Sequence, residues 1–126
     1  MHPLRILVVE ANVSFRDAIQ QVLATEGGCC VVAAVGDAEA AAQAALSLEP
    51  DLALLDIGIS GRSGMKTARQ FRLLLPSMQV VLLLSDDHST YRRAAKECGA
   101  AWVAKDHLAQ GLRPIIEGAM ARGDFG

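Results

Sequence analysis

Leu52-Ala53-Leu54-Leu55-Asp56 is a short apolar run that ends in a carboxylate and is followed at once by Ile57-Gly58-Ile59-Ser60-Gly61. An apolar run of this length buries as a strand, and a charged carboxylate is costly to bury without a partner. The carboxyl end of a parallel strand reconciles the two demands. There the chain turns into a loop, and there open α/β sheets place their chemistry. Three further runs repeat the pattern: Arg5-Ile6-Leu7-Val8-Val9 ends in Glu10, Gln79-Val80-Val81-Leu82-Leu83-Leu84 ends in Ser85, and Trp102-Val103-Ala104 ends in Lys105. Two carboxylates, a hydroxyl and an ammonium are thereby expected at one rim.

The segments between these runs read as helices. Asn12 or Ser14 caps a helix to about Glu26, with Phe15, Ala18, Ile19, Val22 and Leu23 on one face. Gly27-Gly28 stops it, and Cys29 to Val35 gives a fifth strand. Asp37 caps a helix from Ala38 to about Leu48 whose stripe is Ala41, Ala42, Ala45, Leu46 and Leu48. The next helix runs from about Gly64 to Leu75, carries Met65, Ala68, Phe71, Leu74 and Leu75 inward, and ends at Pro76. His88 to Cys98, closed by Gly99, and His107 to Arg122 complete the set, the last made irregular by Gly111, Pro114 and Gly118. Five strands alternating with five helices predict a parallel sheet covered on both faces.

With 126 residues, the chain is read as one domain, 1–126, with an ordered core over about 4–122. Hydrophobic residues make up 52% but aromatics only 4%, so the core is aliphatic and alanine-rich. A net charge of −2 without a basic block speaks against nucleic-acid binding by this domain. No run approaches the roughly 20 apolar residues of a membrane helix, and Glu10 interrupts the early apolar run that a signal peptide needs. The expected location is cytoplasmic. Cys29, Cys30 and Cys98 are read as buried small hydrophobes in a reducing compartment rather than as metal ligands.

A carboxylate can attack phosphorus, but the phosphoryl partner is itself negative. Such a site needs a divalent cation on hard oxygens, a fixed positive charge and a hydroxyl donor. Asp56 is the candidate nucleophile, Lys105 the fixed charge and Ser85 the donor. Glu10, Asp56 and the Gly58 backbone carbonyl are the candidate ligands of a magnesium ion.

On these residues the chain resembles a response-regulator receiver domain of bacterial two-component signalling. Leu54 to Gly64 is similar to the family's phosphoacceptor loop, and Ser85, Trp102 and Lys105 fall where the family keeps its hydroxyl, its aromatic switch residue and its lysine. The resemblance implies a flavodoxin-like three-layer sandwich with strand order 2-1-3-4-5. It implies phosphoryl transfer from a histidine kinase or phosphotransfer protein onto Asp56, followed by movement of Ser85 and Trp102. It also implies a possible homodimer through helix 4, strand 5 and helix 5. Such a domain catalyses phosphotransfer to its own Asp at most. Tyr91 to Gly99 and Lys105-Asp106 most resemble receivers that precede DNA-binding output domains in longer proteins.

The departures carry equal weight. The family has two adjacent acids after its first strand; this chain has Glu10-Ala11. Comparison implies that Ala11 replaces the acid in direct contact with the metal, and a methyl group ligates nothing. Asn12 and Asp86 are candidates to compensate. Ser60 replaces a proline after the phosphoacceptor loop. A second reading follows, a pseudo-receiver that binds proteins without phosphorylation. A third, an unrelated enzyme on the same fold, lacks a glycine-rich phosphate cradle, because Met65 separates Gly64 from Lys66-Thr67.

Overall fold

The computed structural model describes residues 2–58, 64–85 and 89–123. Strands and helices alternate as β1 (Leu4–Val9), α1 (Val13–Glu26), β2 (Cys29–Val35), α2 (Ala38–Leu48), β3 (Leu52–Asp56), α3 (Gly64–Leu74), β4 (Gln79–Leu84), α4 (Ser89–Glu97), β5 (Ala101–Ala104) and α5 (Leu108–Arg122). A 3-10 turn, Lys105–His107, joins β5 to α5. All strand pairs are parallel, in the order β2-β1-β3-β4-β5.

Alternation along the strands splits the core in two. Leu7, Val9, Leu55, Leu82 and Leu84 face α2, α3 and α4, where they meet Ala41, Ala45, Ala68, Phe71 and Ala95. Leu4, Ile6, Val8, Leu54 and Leu83 face α1 and α5, where they meet Ile19, Leu23, Leu112 and Ile116. Each such Leu or Ile contributes about 1.5–3 kcal/mol by leaving water. With both faces covered, β1, β3 and β4 read as continuous apolar runs.

Local chemistry sets the helix ends. Asn12, not Ser14, caps α1: its Oδ1 accepts from the Phe15 N–H at 2.9 Å. Asp37 caps α2 by accepting from the Ala40 N–H at 2.8 Å. α2 ends at Glu49 in the left-handed region (φ 47°), with its N–H donating to the Ala45 carbonyl. Gly111 lets α5 lie against β5, because a Cβ there would stand 2.6 Å from Val103 Cγ1.

Three expectations are corrected. Leu46 and Leu74 are 55% and 59% exposed rather than inward. The α2 stripe narrows to Ala38, Ala41 and Ala45, small residues that let the helix approach the sheet closely. Leu46, one step on from Ala45, then turns about 100° away. On α3 the buried row passes through Phe71 to the half-buried Leu75, which carries Leu74 to the surface. Cys30 is exposed and Cys29 and Cys98 are only half-buried, so burial does not account for the three thiols. The expectations placed on Ser60, Asp86 and His88 lie outside the described residues.

Candidate active site

Strand register levels the four expected side chains. Val9 pairs with Leu55, so Glu10 and Asp56 follow at one height on β1 and β3. Leu84 pairs with Ala104, so Ser85 and Lys105 do the same on β4 and β5. Connections from β1 and from β3 leave in opposite directions, which opens a crevice between these strand ends.

Three of the four groups meet there. Lys105 Nζ stands 3.0 Å from Asp56 Oδ1 and 3.1 Å from Glu10 Oε2, and it donates to Glu10 Oε1 at 3.3 Å. The carboxylates are deeply placed, with Glu10 2% and Asp56 6% exposed. One ammonium therefore neutralises part of two buried charges. The Phe15 ring lies 5.0 Å from that ammonium and closes its outer side. The Asn12 N–H donates weakly to Glu10 Oε1 at 3.4 Å. Glu10 Oε2 is buried without an aligned donor and is held by charge alone.

Burial pushes the Glu10 carboxyl above its ordinary value; the Lys105 hydrogen bond pulls it back only in part, and the Asp56 charge adds to the rise. Burial acts on Lys105 to lower its pKa, but its hydrogen bonds to Asp56 and then Glu10 win, and its pKa is raised.

Asp56 is polarised unequally. The Gly58 N–H donates to Oδ1 at 3.3 Å, and Lys105 approaches the same oxygen. Among the described residues nothing donates to Oδ2.

Ser85 stands on the rim but is exposed and makes no hydrogen bond to Asp56. It borders two hollows. One, of about 620 Å³, is shared with Glu10, Phe15 and Lys105. The other, of about 540 Å³, is shared with Trp102 and Gly111. Trp102 is half-buried, packs on the core beneath α4, and carries the Arg92 guanidinium 5.5 Å over its ring. A separate hollow of about 320 Å³, lined in part by Leu4, Asp51 and Gln79, lies at the amino ends of the strands, away from this chemistry.

Two residues outside the expected set reach the site: Phe15, from the apolar face of α1, and Arg16 beside it. Arg16 Nη1 donates to the Glu10 carbonyl at 2.8 Å. It lies 2.9 Å from where a Cβ on Gly36 would stand, and that point is 3.8 Å from the Ala11 Cα. The exposed Ala11 and the Arg16 guanidinium thus both border the space beside Gly36. The only hint in the sequence is a basic residue in the first turn after the cap, able to reach back to the strand end.

Among the described residues no three His, Cys, Asp or Glu side chains converge to hold a metal ion. The donor set still fits magnesium, which is satisfied by one or two carboxylates when phosphate oxygens complete its shell. The buried Glu10 Oε2, lacking an aligned donor, is the oxygen best suited to it.

The sequence pattern of the response regulator receiver domain matches residues 6–116. The chain belongs to the response regulator receiver domain family. Two relatives place this receiver domain further. It is 30% identical to the nitrate/nitrite response regulator protein NarP of Escherichia coli (strain K12), over 82% of this chain and 49% of NarP. It is 32% identical to protein-glutamate methylesterase/protein-glutamine glutaminase 5 of Anaeromyxobacter dehalogenans (strain 2CP-C), over 95% of this chain and 33% of that protein. The receiver domain thus spans half or less of these relatives. Among solved structures, the signal receiver domain of NarL from Mycobacterium tuberculosis superposes with a TM-score of 0.85 at 26% identity, covering 95% of this chain and 98% of that one. The flavodoxin-like fold and strand order expected from the sequence are those observed. No helix among the described residues is long and apolar enough to cross a membrane.

Proposed function

We propose that this receiver domain accepts a phosphoryl group on Asp56 from the phosphohistidine of a histidine kinase or phosphotransfer protein. The observation that carries the reading is the asymmetry of Asp56. Oδ1 is held by Lys105 and the Gly58 N–H, whereas among the described residues nothing donates to Oδ2, the oxygen assigned to the attack. A bond forms from Oδ2 to phosphorus as the phosphorus–nitrogen bond of the donor breaks, and the departing imidazole takes up a proton. Lys105 offsets the charge gained by the acyl phosphate. Ser85, exposed in the hollow it shares with Lys105, is the hydroxyl assigned to donate to a phosphoryl oxygen. Trp102 borders the next hollow and follows. When bound by Glu10, Asp56 and the Gly58 carbonyl, magnesium supplies neutralisation of the phosphoryl oxygens. Ala11 lowers its affinity by about tenfold or more. In a longer regulator the switched surface would act on an output domain; the match to NarP spans 49% of that protein.

The test is incubation with magnesium and acetyl phosphate, followed by mass analysis of the peptide carrying Asp56. A phosphoryl adduct absent from Asp56→Asn is expected. No adduct at saturating magnesium leaves the second reading, a pseudo-receiver, which Ala11 beside Arg16 favours.

A further inference from the structure

We propose that the hollow at the amino ends of the strands binds an acidic amino acid, a small molecule with two carboxylates and one ammonium. The hollow has a volume of about 320 Å³. Ligand hollows run from about 300 Å³ upward, so its occupant is small. Its charged groups are Arg72 of α3, Arg122 in the last turn of α5 and Asp51 just ahead of β3. All three are tied to one short stretch of chain. Arg72 Nη1 donates weakly to the Met78 carbonyl at 3.4 Å and to the Pro76 carbonyl at 3.5 Å. Arg122 Nη2 donates to Gln79 Oε1 at 3.0 Å, and the Asp51 carbonyl accepts from the Gln79 N–H at 3.0 Å.

The partners of both guanidiniums are thus neutral oxygens. Neither arginine forms an ion pair among the described residues, and neither does Asp51, whose Oδ2 accepts from the Arg5 N–H at 2.8 Å. Two cations and one anion border the hollow without a counter-charge, and that pattern selects the occupant. Inorganic phosphate meets the guanidiniums but is repelled by Asp51 and by the negative carboxyl end of α5. A simple cation is repelled by both arginines. A molecule with two carboxylates and an ammonium sets each charge opposite its complement. Guanidiniums take carboxylates through paired N–H groups, and each arginine here commits one nitrogen only. Asp51 takes the ammonium. The buried Leu4 and Met78 give the connecting methylenes an apolar floor. The inference stands whether or not Asp56 takes a phosphoryl group.

The full chain, without a phosphoryl donor, is titrated by calorimetry with L-glutamate and with L-aspartate. Saturable heat with either, at a Kd below about 1 mM, is expected. Arg122→Glu reverses an exposed charge and should loosen that binding at least about tenfold. Asp51→Asn should loosen the amino acid by a similar factor without loosening glutarate, which has both carboxylates and no ammonium. Circular dichroism checks the folding of both variants. Glutamate against glutarate on wild type needs no variant, so it decides the ammonium contact even where Asp51→Asn fails to fold. No saturable heat with either amino acid overturns the proposal, as does equal affinity in wild type and Arg122→Glu. Glutarate or inorganic phosphate bound by wild type as tightly as the amino acid overturns it in favour of an unselective anion hollow.

Discussion

Lys105 is where burial and charge meet in this domain. Its ammonium is shared between two buried carboxylates, and removal of one partner from such a cluster leaves uncompensated charge. Lys105→Met is expected to destabilise the fold by about 3 kcal/mol at neutral pH, read as a lower urea midpoint. Its pH dependence has a definite sign. Because the folded-state pKa of Glu10 is raised, ionised Glu10 costs stability above that pKa, and the cost is relieved as pH falls through it. The deficit of Lys105→Met should therefore shrink on mild acidification. Lys105 works in the opposite window: its raised pKa contributes stability that is fully present below the ordinary value of 10.5 and lost as pH rises through the folded value. Wild type should show this alkaline loss and Lys105→Met should not. Ala11→Asp restores a second acid and is expected to tighten magnesium binding by about tenfold, measured by Trp102 fluorescence or calorimetry. Arg16, which lies against Gly36 as Ala11 does, will pair with part of the new charge; Arg16→Gln in that background should raise the affinity again. Unchanged affinity in both would show that residue 11 does not face the ion.

At the scale of elements, spacing and caps made most boundaries legible. α2, β2 and β4 run as their patterns predict, because each is bounded by a strong local signal such as Asp37, Gly28 or Pro76. The ends of β1 and β5 differ by one residue, since Leu4 and Ala101 join their strands through pairing that only neighbours supply. The left-handed Glu49 was illegible: nothing in its side chain favours φ 47°, which the α2-to-β3 turn imposes. Two substitutions test the local account. Asn12→Ala removes the cap on α1 and should cost about 1 kcal/mol in denaturant unfolding. Gly111→Ala forces α5 off Val103 and should cost about 1–3 kcal/mol, with a shift in Trp102 emission because the same residues line the adjoining hollow. A neutral Gly111→Ala would mean that α5 packs less closely than the structure shows.

For the whole molecule, one parallel sheet runs through both halves of the core, so no helix has a core of its own. Unfolding followed by Trp102 fluorescence and by circular dichroism should coincide in one transition; separate midpoints would show β5 and α5 leaving first. The sequence by itself determined the alternating elements, the apolar central strands and the four polar residues that end them, because strand burial and helix periodicity are local patterns of hydrophobicity. It also showed that Glu10 is followed by Ala11, a residue whose side chain can ligate nothing. Tertiary structure alone decided which groups touch. Register and the crossing from β1 to β3 bring Lys105 onto both Glu10 and Asp56, leave the Ser85 hydroxyl outside that contact, and set Arg16 beside Ala11. Those contacts join residues far apart in the chain, and a pairing free energy between distant residues is written in the packing of the sheet rather than in any segment of sequence.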